Sequence, residues 1–321
     1  MKVALAGDTM LGRGVAERIR EVPPRALVSA DVLEAFQEAD VALLNLECCL
    51  SERGRPWQAP GKPFFFRAPP QAIELLVHLG VDCVSLANNH ALDFGRQALL
   101  DTLEHLDAAG ISWVGAGADL ERARAPATLR AGGLVLAVLG AADHPRDFAA
   151  APGRAGVALV DLGDPDWLVE AVRRAEADVV LVTPHWGPNM ADEPIPAVRQ
   201  AAAALVDAGA TLVAGHSAHV FHGVAGRVVY DLGDFLDDYR TDPVLRNDLG
   251  LLVLVDVDSR GPNRLEAVPL KLEYAFTRLA EGEDASWIER RFRAACAQLG
   301  TSVREDGGRL VVDCDPTSSC A

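Results

Sequence analysis

The stretch Ser85-Leu86-Ala87-Asn88-Asn89-His90-Ala91-Leu92-Asp93 sets two amides, an imidazole and a carboxylate close together. It grows out of an apolar run, Val81 to Leu86, that reads as a buried strand, and a helix is predicted to open near Gly95. In open α/β sheets, ligands bind outside the carboxyl ends of strands. Four other predicted strands end on the same kinds of group. Lys2 to Ala6 runs into Gly7 and Asp8, and Val41 to Glu47 ends on Asn45 and Glu47. Asp178 to Thr183 runs into His185 and Trp186, and Thr211 to Ala214 into His216 and His219. Asn45 and Glu47, two residues apart, point to one side of their strand. Burying such groups without partners costs several kcal/mol. Carboxylate, amide oxygen and imidazole on convergent loops are the ligand set for one or two divalent ions such as Mn²⁺, Fe²⁺ or Zn²⁺. The cysteines stand at no metal-ligand spacing, so a structural zinc site is excluded.

The elements that must position these groups share a repeated grammar. Helical patterning from Pro70 to Leu79 stops at Gly80, from Arg96 to Ala109 at Gly110, and from Ala201 to Ala208 at Gly209. Each is followed by a short apolar strand, the pattern of crossover helices feeding a sheet with much parallel content. Further helices are expected from Val15, over Asp31 to Glu38 and over Trp167 to Ala175. Leu129 to Leu139 reads as a hairpin around Gly132 and Gly133. Leu249 to Val257 and Arg264 to Leu272 read as antiparallel strands of a second, more exposed sheet. Ser51 to Pro63 reads as a surface loop, and Phe64-Phe65-Phe66 as a core edge ahead of a pocket wall. A helix from Ala285 and a hairpin at Gly307 and Gly308 precede a tail from Asp313 that looks frayed.

The chain has 321 residues, half of them hydrophobic, enough for a substantial core. A formal net charge of −16 argues against a nucleic-acid partner, which needs a basic face. No apolar run reaches the roughly 18 residues of a membrane span, and the N-terminus enters a strand with no signal-like segment. A cytoplasmic protein with reduced thiols is the expectation, with Cys48, Cys49 and Cys83 as small buried hydrophobes.

The ordered motifs Gly7 to Arg13, Asn45-Leu46-Glu47, Leu86 to Gly95, His185-Trp186-Gly187, Gly215 to His219 and Tyr230 to Phe235 resemble those of the CapA family, named for poly-γ-glutamate capsule synthesis. The resemblance spans roughly residues 1 to 275. It implies an α/β fold, a four-layer metallophosphatase-like sandwich of two mixed β-sheets flanked by helices. A domain over 1–275 and a C-terminal helix and hairpin extension over 276–321, packed on it, follow.

The same resemblance implies Asp8 as a ligand of a first metal, Glu47 as a bridging carboxylate and Asn89 as an amide ligand of a second metal. His185 and His216 would complete the second site, and His219 would return to the first. His90 resembles the imidazole that protonates the leaving group, with Asp93 to orient it. Arg13, Asn45, Trp186, His222 and Asp234 are candidates for substrate contact. Metallophosphatases usually carry a histidine where this chain has Met10, and the family's usual Gly-Asn-Phe is Gly233-Asp234-Phe235 here. These departures favour one filled metal site over two. The implied chemistry is hydrolysis of a phosphoester or a carboxylate-bearing amide on a small-molecule or peptide substrate. Two alternatives stand beside it. One is a metal-dependent peptide epimerase that exchanges a Cα proton, with which His144 and His222 are compatible. The other is a binding scaffold without turnover.

Overall fold

The computed structural model describes residues 1–58 and 61–314. The strand β1, Lys2–Thr9, shows why the chain builds layers. Val3 and Leu5 face one way and Ala4 and Ala6 the other, and all four are buried. A strand with apolar groups on both faces must be covered on both. Three parallel neighbours follow on one side: β2 (Val41–Leu46), β3 (Cys83–Ser85) and β4 (Ser112–Val114).

The second sheet begins with the hairpin of β5 (Ala127–Ala131) and β6 (Leu134–Ala142). Parallel to β6 run β7 (Val179–His185), β8 (Leu212–Ala214) and the short β10 (Val228–Val229), which pairs with β9 (Val224–Ala225). Back in the first sheet, β11 (Asp234–Leu236) lies parallel to β1, and β12 (Leu249–Asp258) lies antiparallel to it. β13 (Gly261–Glu273) pairs with β12. β14 (Phe276–Leu279) and β16 (Arg309–Asp313) pair with β13, and β15 (Arg304–Asp306) pairs with β16. The first sheet thus reads β15-β16-β13-β12-β1-β2-β3-β4 and the second β9-β10-β8-β7-β6-β5.

The facing sheets bury Val3, Leu5, Val41 and Leu43 against Leu136, Val138, Val179 and Leu181. The outer face of the first sheet is covered by α1 (Arg13–Glu21), α2 (Ala30–Gln37), α3 (Ile73–Leu79) and α4 (Gly95–Ala108), through Val15, Phe36, Leu76 and Leu99. The second sheet is covered by α5 (Asp166–Arg174) and α6 (Pro196–Ala208), through Val169, Val198 and Leu205. A final helix, α7 (Gly282–Gln298), closes the gap between the sheets with Ile288, Phe292 and Cys296. The result is the four-layer sandwich of the metallophosphatase type. Gly80 and Gly209, at φ of +72° and +113°, end α3 and α6 in the left-handed region that only glycine enters without strain.

One expectation is overturned. β12 and β13 form no second, more exposed sheet; they extend the first, and Leu249 to Val255 is buried throughout. The run Leu249-Gly250-Leu251-Leu252-Val253-Leu254-Val255 is apolar on both faces, which marks a strand covered on both sides. The tail from Asp313 is described only as far as residue 314, so its remainder lies outside the described residues. Cys48, Cys49 and Cys83 are buried free thiols, and burial raises each thiol's pKa, that of Cys49 to about 12.

Candidate metal centre

β1 brings Asp8 to the site through an irregularity. Its register with β2 slips between Ala6 and Asp8, so that Asp8 stands opposite Asn45; such bulges re-aim side chains next to active sites. Gly7 permits this because the backbones nearly touch there. A Cβ at that position would meet the Gly233 carbonyl oxygen at 1.9 Å, and the adjacent Asp8 amide donates to that same oxygen at 2.9 Å. The turn after β8 is also unusual. Ser217 and His219 sit at φ of +108° and +59°, a conformation non-glycine residues hold only when their surroundings impose it. Asp231 imposes it, accepting the amides of Ala218 at 2.9 Å and Gly233 at 2.8 Å.

These elements draw the sequence candidates together. Asp8 Oδ1 accepts from Asn45 Nδ2 at 2.7 Å and lies 3.2 Å from His216 Nδ1. Asp8 Oδ2 lies 3.5 Å from His219 Nδ1, and Asp234 Oδ1 lies 2.8 Å from that same nitrogen. Two ligand-competent groups result, Asp8 with Glu47 and His185, and Asp8 with His219 and Asp234; within each, the ligand atoms lie within 4.8 Å of one another. Asp8, rather than Glu47, is the carboxylate common to both. Asn45 holds the arrangement from behind: it is fully buried, contacts His185 Nδ1 at 3.4 Å, and accepts from Asn88 Nδ2 at 2.9 Å.

Burial and charge set the protonation states. Burial pushes Glu47 well above the carboxylate range, with Asp8 and Asp234 adding to the effect. Burial likewise raises Asp234, against the pull of His219. Burial alone would also raise Asp8, but contact with His216 and the neighbouring His185 and His219 hold it below the usual range. Burial would lower His219, yet Asp234, Glu47 and Asp8 raise it well above 6.5. His185, with less compensation, is depressed by burial.

The atoms left without hydrogen-bond partners test whether a cation fits. Among the described residues, Glu47 Oε1 and Oε2, Asn89 Oδ1, His185 Nε2, His216 Nδ1 and Asp234 Oδ2 are buried and unpartnered. Unsatisfied buried polar atoms are costly. The carboxylate and imidazole donors gathered around Asp8 fit a borderline divalent ion, which would satisfy them together.

His90 stands beside this centre. Its Nδ1 bonds Asp93 Oδ2 at 2.5 Å, its ring stacks on Phe66 with centroids 4.0 Å apart, and its Nε2 lies 3.8 Å from Glu47 Oε1. Burial lowers its pKa to about 4, although Asp93 pulls the other way. Asp93 is itself fixed by the Phe66 amide at 2.6 Å and by Lys62 Nζ at 3.0 Å from Oδ1. Lys62 also donates to the Asn89 carbonyl at 2.8 Å.

The centre opens onto a cleft of about 550 Å³ lined by Arg13, Phe64, Phe66, His90, His219 and Tyr239, among others. Here the aromatic run divides: Phe66 is buried in the core, as a core edge requires, whereas Phe64 is not. Phe64 is 53% exposed and lines the cleft with the buried Phe66, and the Arg13 guanidinium lies over both rings, at 5.4 and 5.3 Å. Arg13 also pairs with Asp238 through Nε at 3.2 Å and through Nη2. Trp186 and His222 stand away from the cleft lining. Trp186 is buried and donates to the Tyr230 carbonyl at 3.1 Å, and His222 Nε2 bonds the Ala191 carbonyl at 2.9 Å. His144 pairs with Asp143, its ring 5.6 Å from that of His185.

Two buried ligand groups at the strand ends of a two-sheet sandwich define a protein of the metallophosphatase fold with candidate metal-binding residues. The chain belongs to the family of bacterial capsule synthesis proteins, PGA_cap, whose pattern matches residues 2–239. It is 31% identical to a probable polyglutamine synthesis accessory protein of Mycobacterium tuberculosis, over 94% of this chain and 92% of that one. It is 29% identical to the PGA biosynthesis protein CapA of Bacillus subtilis, over 98% of this chain and 83% of that one. A phosphatase of Mycoplasma pneumoniae shares the fold at 12% identity, with a TM-score of 0.52 over 84% of this chain and 93% of that one. Among the described residues no helix is long and apolar enough to cross a membrane.

Proposed function

We propose that this chain is a metal-dependent hydrolase acting in the cytoplasm on a small-molecule or peptide substrate that bears carboxylate or phosphate groups. The observation that carries this reading is the set of unpartnered buried ligand atoms behind His90 and His219, which line an open cleft. Asp8, Glu47, Asn89, His185, His216 and His219 would hold the cation. A divalent ion bound there polarises substrate oxygens and lowers the pKa of a water.

The protein's own groups manage the proton. Asp93 accepts from Nδ1 of His90 and so directs Nε2 to exchange protons at the cleft. Lys62 and the Phe66 amide keep Asp93 in place. With its pKa lowered to about 4 by burial, the resting imidazole is neutral at pH 7, and Nε2 starts as an acceptor. An anionic substrate beside the ring favours the imidazolium and turns Nε2 into a donor for the leaving group. Arg13 and Arg240 on the cleft wall suit such a substrate.

The neutral resting state of His90 also supports a second reading, a peptide epimerase in which Nε2 removes a Cα proton next to a carbonyl oxygen held at the centre. One experiment separates them: the metal-loaded protein is incubated in deuterated water with phosphoesters, carboxylate-bearing amides and peptides. Cleavage that His90→Gln abolishes supports the hydrolase. Deuterium at Cα without cleavage moves the assignment to the epimerase. Neither outcome with any substrate sinks both.

A further inference from the structure

Resting on the reading that the centre binds divalent metal, we propose that Asp234 is a metal ligand, and that with Asp8 and His219 it forms a second cation site in place of the histidine that position 10 lacks. Met10 contributes nothing there: it is fully buried, and its Sδ accepts from the Gly12 amide at 3.0 Å. Asp234 is 1% exposed and reaches the site from β11. Its Oδ1 contacts His219 Nδ1 at 2.8 Å, while its Oδ2 is buried with no hydrogen-bond partner. The ligand atoms of Asp8, His219 and Asp234 lie within 4.8 Å of one another.

The two oxygens of Asp8 divide between the groups. Oδ1 faces Asn45 and His216, and Oδ2 faces His219. Asp8 would therefore offer one carboxylate oxygen to each group. Charge points the same way. Asp8, Glu47 and Asp234 are three buried carboxylates, and a single divalent ion leaves them with net negative charge when all are ionised. Two ions reverse the sign and suit an anionic substrate.

The competing role for Asp234 is to orient His219 by hydrogen bonding, which tunes a ligand without being one. Metal stoichiometry tells the two apart. The full-length protein is stripped with chelator and reloaded with Mn²⁺; bound metal is counted by elemental analysis, and the spin state is read by electron paramagnetic resonance. The proposal expects two equivalents with an exchange-coupled signal in the natural chain. Asp234→Asn should retain one equivalent with an isolated-ion signal and lose the other altogether under the same loading, a larger effect than the roughly 10- to 100-fold weakening that removal of a merely orienting partner brings. Asp234→Ser serves as a second variant, and circular dichroism of the metal-free proteins shows that each folds. Two coupled ions in a folded Asp234 variant would overturn the proposal in favour of an orienting role. One equivalent in the natural chain, unchanged in the variants, would also overturn it while leaving the metal-dependent reading intact. No metal in the natural chain would remove both.

Discussion

Asp8 and Asp234 are register partners on adjacent parallel strands, both buried, with the side chain of His219 between their carboxylates. Parallel pairing of β1 with β11 therefore does more than extend a sheet. It fixes the distance between two acidic groups that repel each other unless a proton or a cation lies between them.

That pairing depends on Gly7. A Gly7→Ala substitution places a methyl group 1.9 Å from the Gly233 oxygen, and backbone on both sides leaves nothing flexible to yield. The variant should lose on the order of 3 kcal/mol of stability and bind metal poorly, because Asp8 and Asp234 part. Urea denaturation and metal content of the folded fraction check this; an unchanged metal content would show that the strand contact does not set the site.

Metal binding should release protons at neutral pH. Glu47 and Asp234 hold theirs well above the ordinary carboxylate range, first because of burial, and a cation displaces them. Affinity should rise with pH across the window above the model-compound carboxylate values. Calorimetry in buffers of different ionisation heat reads the proton count directly, and heats independent of the buffer would refute the expectation.

Lys62 should govern the basicity of His90. Its charge lowers the imidazole pKa, and its Nζ is the cation paired with Asp93 Oδ1. Lys62→Met should therefore raise the His90 pKa above about 4, measured by nuclear magnetic resonance titration of the ring protons. It should also cost roughly 1–3 kcal/mol through the stranded carboxylate oxygen.

His90 should make the metal-free protein sensitive to acid. Its folded pKa of about 4 lies below the model value of 6.5, so the unfolded chain takes up the proton first as the pH falls, and folding stability declines between those values. His219, whose pKa is raised, contributes its full stabilisation throughout that window and adds no slope there. Comparing the natural chain with His90→Gln isolates the effect from Glu47 and Asp234. Between pH 6.5 and 4 the natural chain should lose up to roughly 3 kcal/mol more than the variant. Parallel stability curves would contradict this.

Much of the architecture was legible because its signals are local. The strands ending at Asp8, Glu47, His185 and His216 announce themselves as apolar runs broken by ligand-type residues, and the helices stop where glycine permits the left-handed turn. What escaped depends on distant pairing. Nothing within Leu249 to Leu272 says that these strands lie beside residue 3 rather than in a sheet of their own. Lys62 was passed over because it lies in a proline-rich loop, yet its ammonium reaches Asp93 and Asn89. Asp231 lay within the motif Tyr230 to Phe235 but without a role, since it works through backbone amides, and Tyr239 gave no signal because it becomes a cleft wall only through the fold of the loop after β11. Asp234 was visible as a departure from the family's pattern, but read as a substrate contact. Only its place opposite Asp8 suggests a ligand.

The cleft wall and the ligand cluster come from different parts of the fold. The candidate ligands Asp8, Glu47, His185 and Asp234 stand at strand ends pinned by sheet register, whereas Phe64, Asn189, Met190 and the segment from Tyr239 to Pro243 belong to connecting loops. Loops vary without disturbing the sheets they join. Insertion or exchange at these three loops can therefore recast the recognition surface while the candidate centre at the strand ends stays in place.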